Sequence, residues 1–119
     1  MIDMHASHQE GWVEACYHAD CEWIELPMPG QTQGRSGNAA VMKEAADLSA
    51  AAYPKIDIAI TNILSDDDKV ALEVDFIGTM AKKEGSDKPA RTSSVKMAIF
   101  LTFHDGLISR QVDYIVPAT

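Results

Sequence analysis

Ser94-Val95-Lys96-Met97-Ala98-Ile99-Phe100-Leu101-Thr102-Phe103-His104-Asp105-Gly106-Leu107-Ile108-Ser109-Arg110-Gln111-Val112-Asp113-Tyr114-Ile115-Val116 decides the fold. Two apolar runs, Ser94 to Phe103 and Leu107 to Val116, meet at His104-Asp105-Gly106, a tight-turn signal, so the stretch reads as a β-hairpin. A second hairpin precedes it. Ile56, Ile58 and Ile60 recur at period two, Ser65-Asp66-Asp67-Asp68 makes a turn, and Lys69 to Met80 resumes a strand. Between the hairpins, Lys82 to Thr92 is charged and carries Gly85 and Pro89, as a loop does.

Outward from these strands, the first half of the chain is helical in pattern. Gln9 to His18 places Trp12, Val13, Cys16 and Tyr17 on one stripe, with Ser7 as a cap ahead of Glu10. Cys21 to Pro27 then alternates, with Cys21, Trp23 and Glu25 on one side, and stops at Pro27-Met28-Pro29-Gly30. Ser36 or Asn38 can cap a helix over Ala39 to Ala52, rich in strong helix formers and ended by Tyr53-Pro54. Two helices followed by four long antiparallel strands predict one α+β domain over residues 1–119, a curved sheet closing around its helices behind a flexible tail over 1–8.

Composition narrows the partners. Eighteen acidic residues against ten basic ones give a net charge of -8, which repels phosphate backbones and anionic membranes, so neither nucleic acid nor membrane is an expected partner. The start, Met1-Ile2-Asp3-Met4-His5, lacks the basic and apolar regions of a secretory signal, and the expected location is the cytoplasm. Cys16 and Cys21 have neither a second pair nor a histidine array at zinc spacing and read as reduced structural thiols. His5 and His8 lack a third ligand, and Asp66-Asp67-Asp68 lacks the glycine and distal glutamate of a calcium loop, so no metal is implied.

The acids within strands carry the chemistry. Glu73 and Asp75 lie in Val70-Ala71-Leu72-Glu73-Val74-Asp75-Phe76-Ile77, and Asp113 lies in the last strand. Acids are uncommon in strands and rarely fully buried, so their presence in apolar runs calls for either solvent or a role. Alternation groups Glu73, Asp75 and Ile77 on one face, and Gln111, Asp113 and Ile115 on one face. If both faces turn inward, three carboxylates converge on one apolar cavity. A slip of one residue would instead turn them to water or pair them with Lys69, Lys96 or Arg110.

The order of the first helix, Trp23-Ile24-Glu25-Leu26-Pro27, Gly34-Arg35-Ser36-Gly37, the second helix, three strands, Asp105-Gly106-Leu107-Ile108 and Val112-Asp113-Tyr114 resembles the SnoaL-like branch of the nuclear transport factor 2-like superfamily. The resemblance implies a cone-shaped α+β barrel of the cystatin-like class, open at its wide end to a small hydrophobic ligand and paired as a homodimer through the outer sheet. Such proteins usually begin with an extra helix ahead of the one over Gln9 to His18, and with only about eight residues before it here, the expectation is a domain without that helix. Members include polyketide cyclases, ketosteroid isomerases and limonene-epoxide hydrolases, and fold alone does not choose among them.

By that resemblance, Asp75 and Asp113 match the two aspartates of the epoxide hydrolases. Glu73 stands where their bridging arginine is, and Trp23 and Glu25 replace the groups that hold water. Ketosteroid isomerases share a local likeness at Arg35-Ser36-Gly37-Asn38-Ala39-Ala40, but their general base precedes the proline that here follows Leu26, and Ile99 stands at their oxyanion acid, so isomerase positions fit poorly. Gly34-Arg35-Ser36-Gly37 before the second helix is, by the resemblance, the ordinary helix-entry turn rather than an anion site. Cyclase chemistry needs only one acid/base carboxylate in a dry pocket. The expectation is an acid/base enzyme of cyclase or isomerase type, with Asp113 as proton-transfer group and Asp75 or Glu73 setting its acidity. Trp23, Glu25, Ile77, Met97, Gln111 and Ile115 would line the substrate pocket, with no cofactor. Epoxide hydrolysis and a non-catalytic binding or dimerisation domain are the alternatives.

Overall fold

The computed structural model describes residues 11–29, 32–80, 85 and 88–117. The expected tail, the Ser7 cap and the His5/His8 pair lie outside the described residues. Among the described residues the elements are α1 (Trp12–Cys16), β1 (Tyr17–Glu25), β2 (Arg35–Gly37), α2 (Ala39–Ala52), β3 (Lys55–Asp66), β4 (Lys69–Thr79), β5 (Thr92–His104) and β6 (Leu107–Pro117). The strands form one sheet in the order β2-β1-β6-β5-β4-β3. This is the expected α+β architecture, with two departures. The sheet is open, with β2 and β3 at its edges, rather than closed into a barrel, and β1 runs parallel to β6.

Local chemistry explains the elements. Asp105 and Gly106 both take positive φ (51° and 81°), the conformation a two-residue primed turn demands, and β5 and β6 pair from His104↔Leu107. Asn38 caps α2, its Oδ1 accepting from the Val41 N–H at 3.2 Å. The far end of α2 is seated on the sheet by Tyr53, whose ring meets Phe76 edge-on at 6.1 Å. It lies so close to Gly78 that a Cβ there would come within 2.6 Å of Tyr53 Cδ1. Only glycine leaves room for that ring.

The first helix is shorter than its pattern predicts. It ends at Cys16, and Tyr17 and His18 belong to β1, whose pairing with β6 shifts register between Tyr17 and Glu22. Alternation nonetheless keeps Tyr17, Cys21, Trp23 and Glu25 on one face, all buried. Gly34-Arg35-Ser36-Gly37, expected as a helix-entry turn, contributes a three-residue strand instead. Its register sets Trp23 opposite Gly37 and Glu25 opposite Arg35. Gly34, at φ 67°, makes this return possible, because a Cβ there would lie 2.4 Å from the Glu25 carbonyl oxygen.

The inner face of β4 corrects a prediction. Leu72, Val74 and Gly78 are buried, with Leu72 opposite Ile99 and Val74 opposite Met97. Alternation therefore turns Glu73, Asp75 and Ile77 to the outer face. Ile77 is exposed there, Asp75 accepts from Lys96 Nζ at 2.9 Å, and Glu73 accepts from Asn62 Nδ2 at 3.1 Å. The reason is hydrophobic: burying Leu72, Val74 and Phe76 removes far more apolar surface from water than burying Ile77 beside two carboxylates, which would also lose hydration.

Candidate active site

A cavity of about 370 Å³ lies between α2 and the concave face of the sheet. Its walls are mostly apolar: Met42 and Ala46 from α2, Ile58 from β3, Leu72 and Phe76 from β4, Met97 and Ile99 from β5. The polar groups gather on one wall, where β1 and β6 run side by side. Parallel pairing sets Trp23 beside Gln111 and Glu25 beside Asp113, and all four side chains project inward. A larger hollow of about 520 Å³ lies on the opposite face of the sheet, over Phe100 and Tyr114. The buried polar side chains Glu25, Gln111 and Asp113 all line the smaller one.

Asp113 is the centre of that wall. It is only 4% exposed, its Oδ2 accepts from Trp23 Nε1 at 3.0 Å, and its Oδ1 accepts from Gln111 Nε2 at 2.9 Å. Burial pushes its carboxyl above the usual carboxylate range. The two hydrogen bonds pull the other way, the Glu25 charge adds to the rise, and Arg35 opposes it. The outcome is an acid held in place by two donors yet more basic than a solvated aspartate.

Gln111 is itself held. Its Oε1 accepts from the Tyr17 hydroxyl at 2.5 Å, and burial, reinforced by the charge of Asp113, holds that phenol well above the ordinary tyrosine range. Tyr17 therefore stays protonated and donates. On the other side of Trp23, Glu25 is buried and accepts from Arg35 Nε at 2.9 Å and Nη2 at 3.1 Å, a fork-on-carboxylate pair. The Arg35 guanidinium also stands over the Trp23 ring, 5.6 Å from its centroid. Each buried polar side-chain atom among the described residues has a partner.

Of the predicted site residues, the structure gathers Asp113, Trp23, Glu25, Gln111, Met97 and Ile115 at this cavity. Glu73, Asp75 and Ile77 are on the outer face and take no part in it. Tyr17 and Arg35 belong to the wall but were missed by the sequence reading. Tyr17 falls on the same helical stripe as core residues. Arg35 had one usable signal, the tight glycine return from Glu25 at Gly34. Cys16 and Cys21 are free thiols, and no group of His, Cys, Asp and Glu among the described residues is arranged to hold a metal ion. No helix among the described residues is long and apolar enough to cross a membrane.

Comparison with known proteins places this geometry. No curated protein sequence matches the chain significantly. Among solved structures, IdmH of Streptomyces antibioticus superimposes with a TM-score of 0.76 at 14% identity, over 93% of this chain and 84% of that one. A SnoaL-like polyketide cyclase of Agrobacterium tumefaciens strain C58 gives 0.64 at 17% identity, over 93% and 79%. AclR of Streptomyces galilaeus, described as a candidate hydroxylase, gives 0.68 at 18% identity over 88% of this chain, which spans 66% of the AclR chain. At such identities the likeness speaks for the fold alone. The family model for the SnoaL-like domain matches residues 3–111, and with an open curved sheet and two helices of the same kind, the chain belongs to the SnoaL-like domain family.

Proposed function

We propose that this chain is an acid/base enzyme of the cyclase or isomerase type, acting on a small, largely apolar carbonyl compound, with Asp113 as its proton-transfer group. The observation that carries this reading is the burial of Asp113, beside Glu25 and Gln111, on one wall of a mostly apolar cavity. A carboxylate with raised proton affinity is a better base, and a dry pocket strengthens each interaction with developing charge.

In the cyclase form, ionised Asp113 removes a proton from the carbon next to a carbonyl, leaving an enolate. That carbon attacks a second carbonyl carbon of the same molecule, a C–C bond forms, and the resulting alkoxide takes the proton back from Asp113. In the isomerase form the proton returns to a different carbon. Neither needs a cofactor. Trp23 and Gln111 hold both carboxyl oxygens while the proton comes and goes, and the apolar walls keep the substrate folded.

Epoxide hydrolysis is less well supported. The second acid it called for, Asp75, is paired with Lys96 on the outer face. Glu25, Arg35 and Asp113 do make a set of two acids and a cation, but Arg35 is engaged with Glu25, and Asp113 is held by Trp23 and Gln111. For a partner, the reading includes a second copy of the chain on the outer sheet, where Leu64, Phe100, Tyr114 and Val116 are exposed. Sedimentation of the purified protein tests that part.

The test of the chemistry is proton exchange. A panel of mono- and bicyclic ketones incubated in D2O should take up deuterium next to the carbonyl with the wild type and lose that uptake with Asp113→Asn. A protein that binds such ketones, returns them unexchanged, and binds them equally well as Asp113→Asn is a binding module instead.

A further inference from the structure

Tyr17 and Asp113 are 96 positions apart in sequence and joined through one amide. The Tyr17 hydroxyl donates to Gln111 Oε1 at 2.5 Å, and Gln111 Nε2 donates to Asp113 Oδ1 at 2.9 Å. All three side chains are at most 9% exposed, so little of either bond is open to exchange with water. We propose that Tyr17 is a positioning residue that fixes which end of the Gln111 amide faces Asp113.

The physical argument follows from the donors and acceptors. A primary amide can turn over, exchanging its NH2 and its oxygen, at little intrinsic cost. With NH2 toward Asp113, a carboxylate finds a donor. With oxygen toward Asp113, only a protonated carboxyl is satisfied, because two acceptors would otherwise face each other in a buried site. The turned amide also presents NH2 to Tyr17, whose own hydroxyl proton then loses its acceptor. Tyr17, held in its protonated form by burial, therefore disfavours the turned amide and with it the protonated acid. Its effect on Asp113 passes through Gln111.

The surroundings leave few other routes. The charged groups facing Asp113 are Glu25 on β1 and Arg35 on β2, and these are paired with each other. Cys16 and Cys21 flank Tyr17, and Tyr53 is the other ionisable group at the cavity. The cavity walls from α2 and from β3, β4 and β5 carry no ionisable side chain among the described residues. Removing the Tyr17 hydroxyl while keeping its ring leaves all of these in place.

The relay bears on function only through the acid/base reading of Asp113, but its test needs no substrate. The Asp113 carboxyl 13C resonance, assigned by its disappearance in Asp113→Asn, is titrated in the wild type, Tyr17→Phe, Gln111→Leu and the double variant. Tyr17→Phe is expected to make Asp113 roughly a tenfold weaker acid. The double variant is expected to match Gln111→Leu, because Tyr17 has nothing left to act through. A Tyr17→Phe titration superimposed on the wild type, or two shifts that add, overturns the relay. If the wild type itself retains a weak Asp113 acid in that case, the acid/base reading stands without the relay. Should Tyr17→Phe fail to fold, the wild type alone decides. A Gln111 side-chain amide proton coupled to the Asp113 carboxyl carbon supports the orientation the relay requires, and an amide NH2 with proton–proton contacts only to the Tyr17 ring and hydroxyl and no such coupling overturns it.

Discussion

Asp113 on β6 and Asp75 on β4 sit two strands apart in one sheet and lead opposite lives. Asp113 is 4% exposed, points into the cavity and takes its two hydrogen bonds from neutral donors, Trp23 and Gln111. The side chain of Asp75 is 40% exposed, on the convex face, against a Lys96 side chain that is 70% exposed. The same carboxylate is thus a desolvated acid with raised proton affinity on one wall and half of a solvated ion pair on the other. What separates them is the parity of their strands: in β6 the acid shares a face with Ile115 and Gln111, whereas in β4 it shares a face with Glu73 and Ile77. Burial, rather than residue type, makes one of them a candidate for chemistry.

The largest expected effect breaks the comparison at its chemical end. Asp113→Asn should lower exchange or turnover by about 10²- to 10⁴-fold, the usual worth of a positioned general base, while ketone binding measured by calorimetry persists. Asp75→Asn should leave turnover where it was. Loss of rate in both would mean that the outer acid also serves the reaction.

Next comes the wall itself, where adjacent residues face opposite ways. Leu72→Ala should destabilise the protein by about 2–5 kcal/mol in urea unfolding, because it empties space against Ile99. Glu73→Ala should change stability by no more than about 0.5 kcal/mol, as surface substitutions do. Similar values for the two would contradict the assigned face of β4.

Trp23→Phe sharpens the contrast at Asp113. It removes one of the two donors to the carboxylate, and the expected loss is about 1–3 kcal/mol of stability at neutral pH, much of it from an ionised oxygen left without its partner. The pH dependence has a definite sign. The folded carboxyl binds its proton more tightly than the unfolded one, so stability from this group is present below the ordinary aspartate range and falls as pH rises through the folded value. Asp113→Asn removes that fall. Measured against the wild type, the Asn variant should gain stability as pH rises from acid to neutral.

A small effect also belongs to the outer pair. Lys96→Met should alter stability by at most about 1 kcal/mol, and by less in high salt, since both partners are substantially solvated. A larger change would show that the convex face is covered in solution, as a second copy of the chain would cover it.

Much of this was legible in the sequence for physical reasons. The Asp105-Gly106 turn, the Asn38 cap and the apolar run through β6 are local signals, and each appears where its chemistry demands. The face of β4 was not. Leu72, Val74 and Phe76 make a stronger apolar set than Glu73, Asp75 and Ile77, but alternation allows either parity, and a family pattern built on Asp75 favoured the wrong one. Arg35 and Tyr17 were hidden for another reason. A three-residue strand gives too short a pattern to read, and the bond from Tyr17 to Gln111 spans 94 positions, which no window along the chain captures.

The most direct test of the central claim is the titration of the wild-type Asp113 carboxyl, followed by its 13C resonance and identified by loss in Asp113→Asn. Asp113 should release its proton clearly above the ordinary aspartate value of about 3.9, as a buried acid in an apolar cavity must. A midpoint at or below that value would place the group in solvent or against a cation, and the cavity would then hold no base.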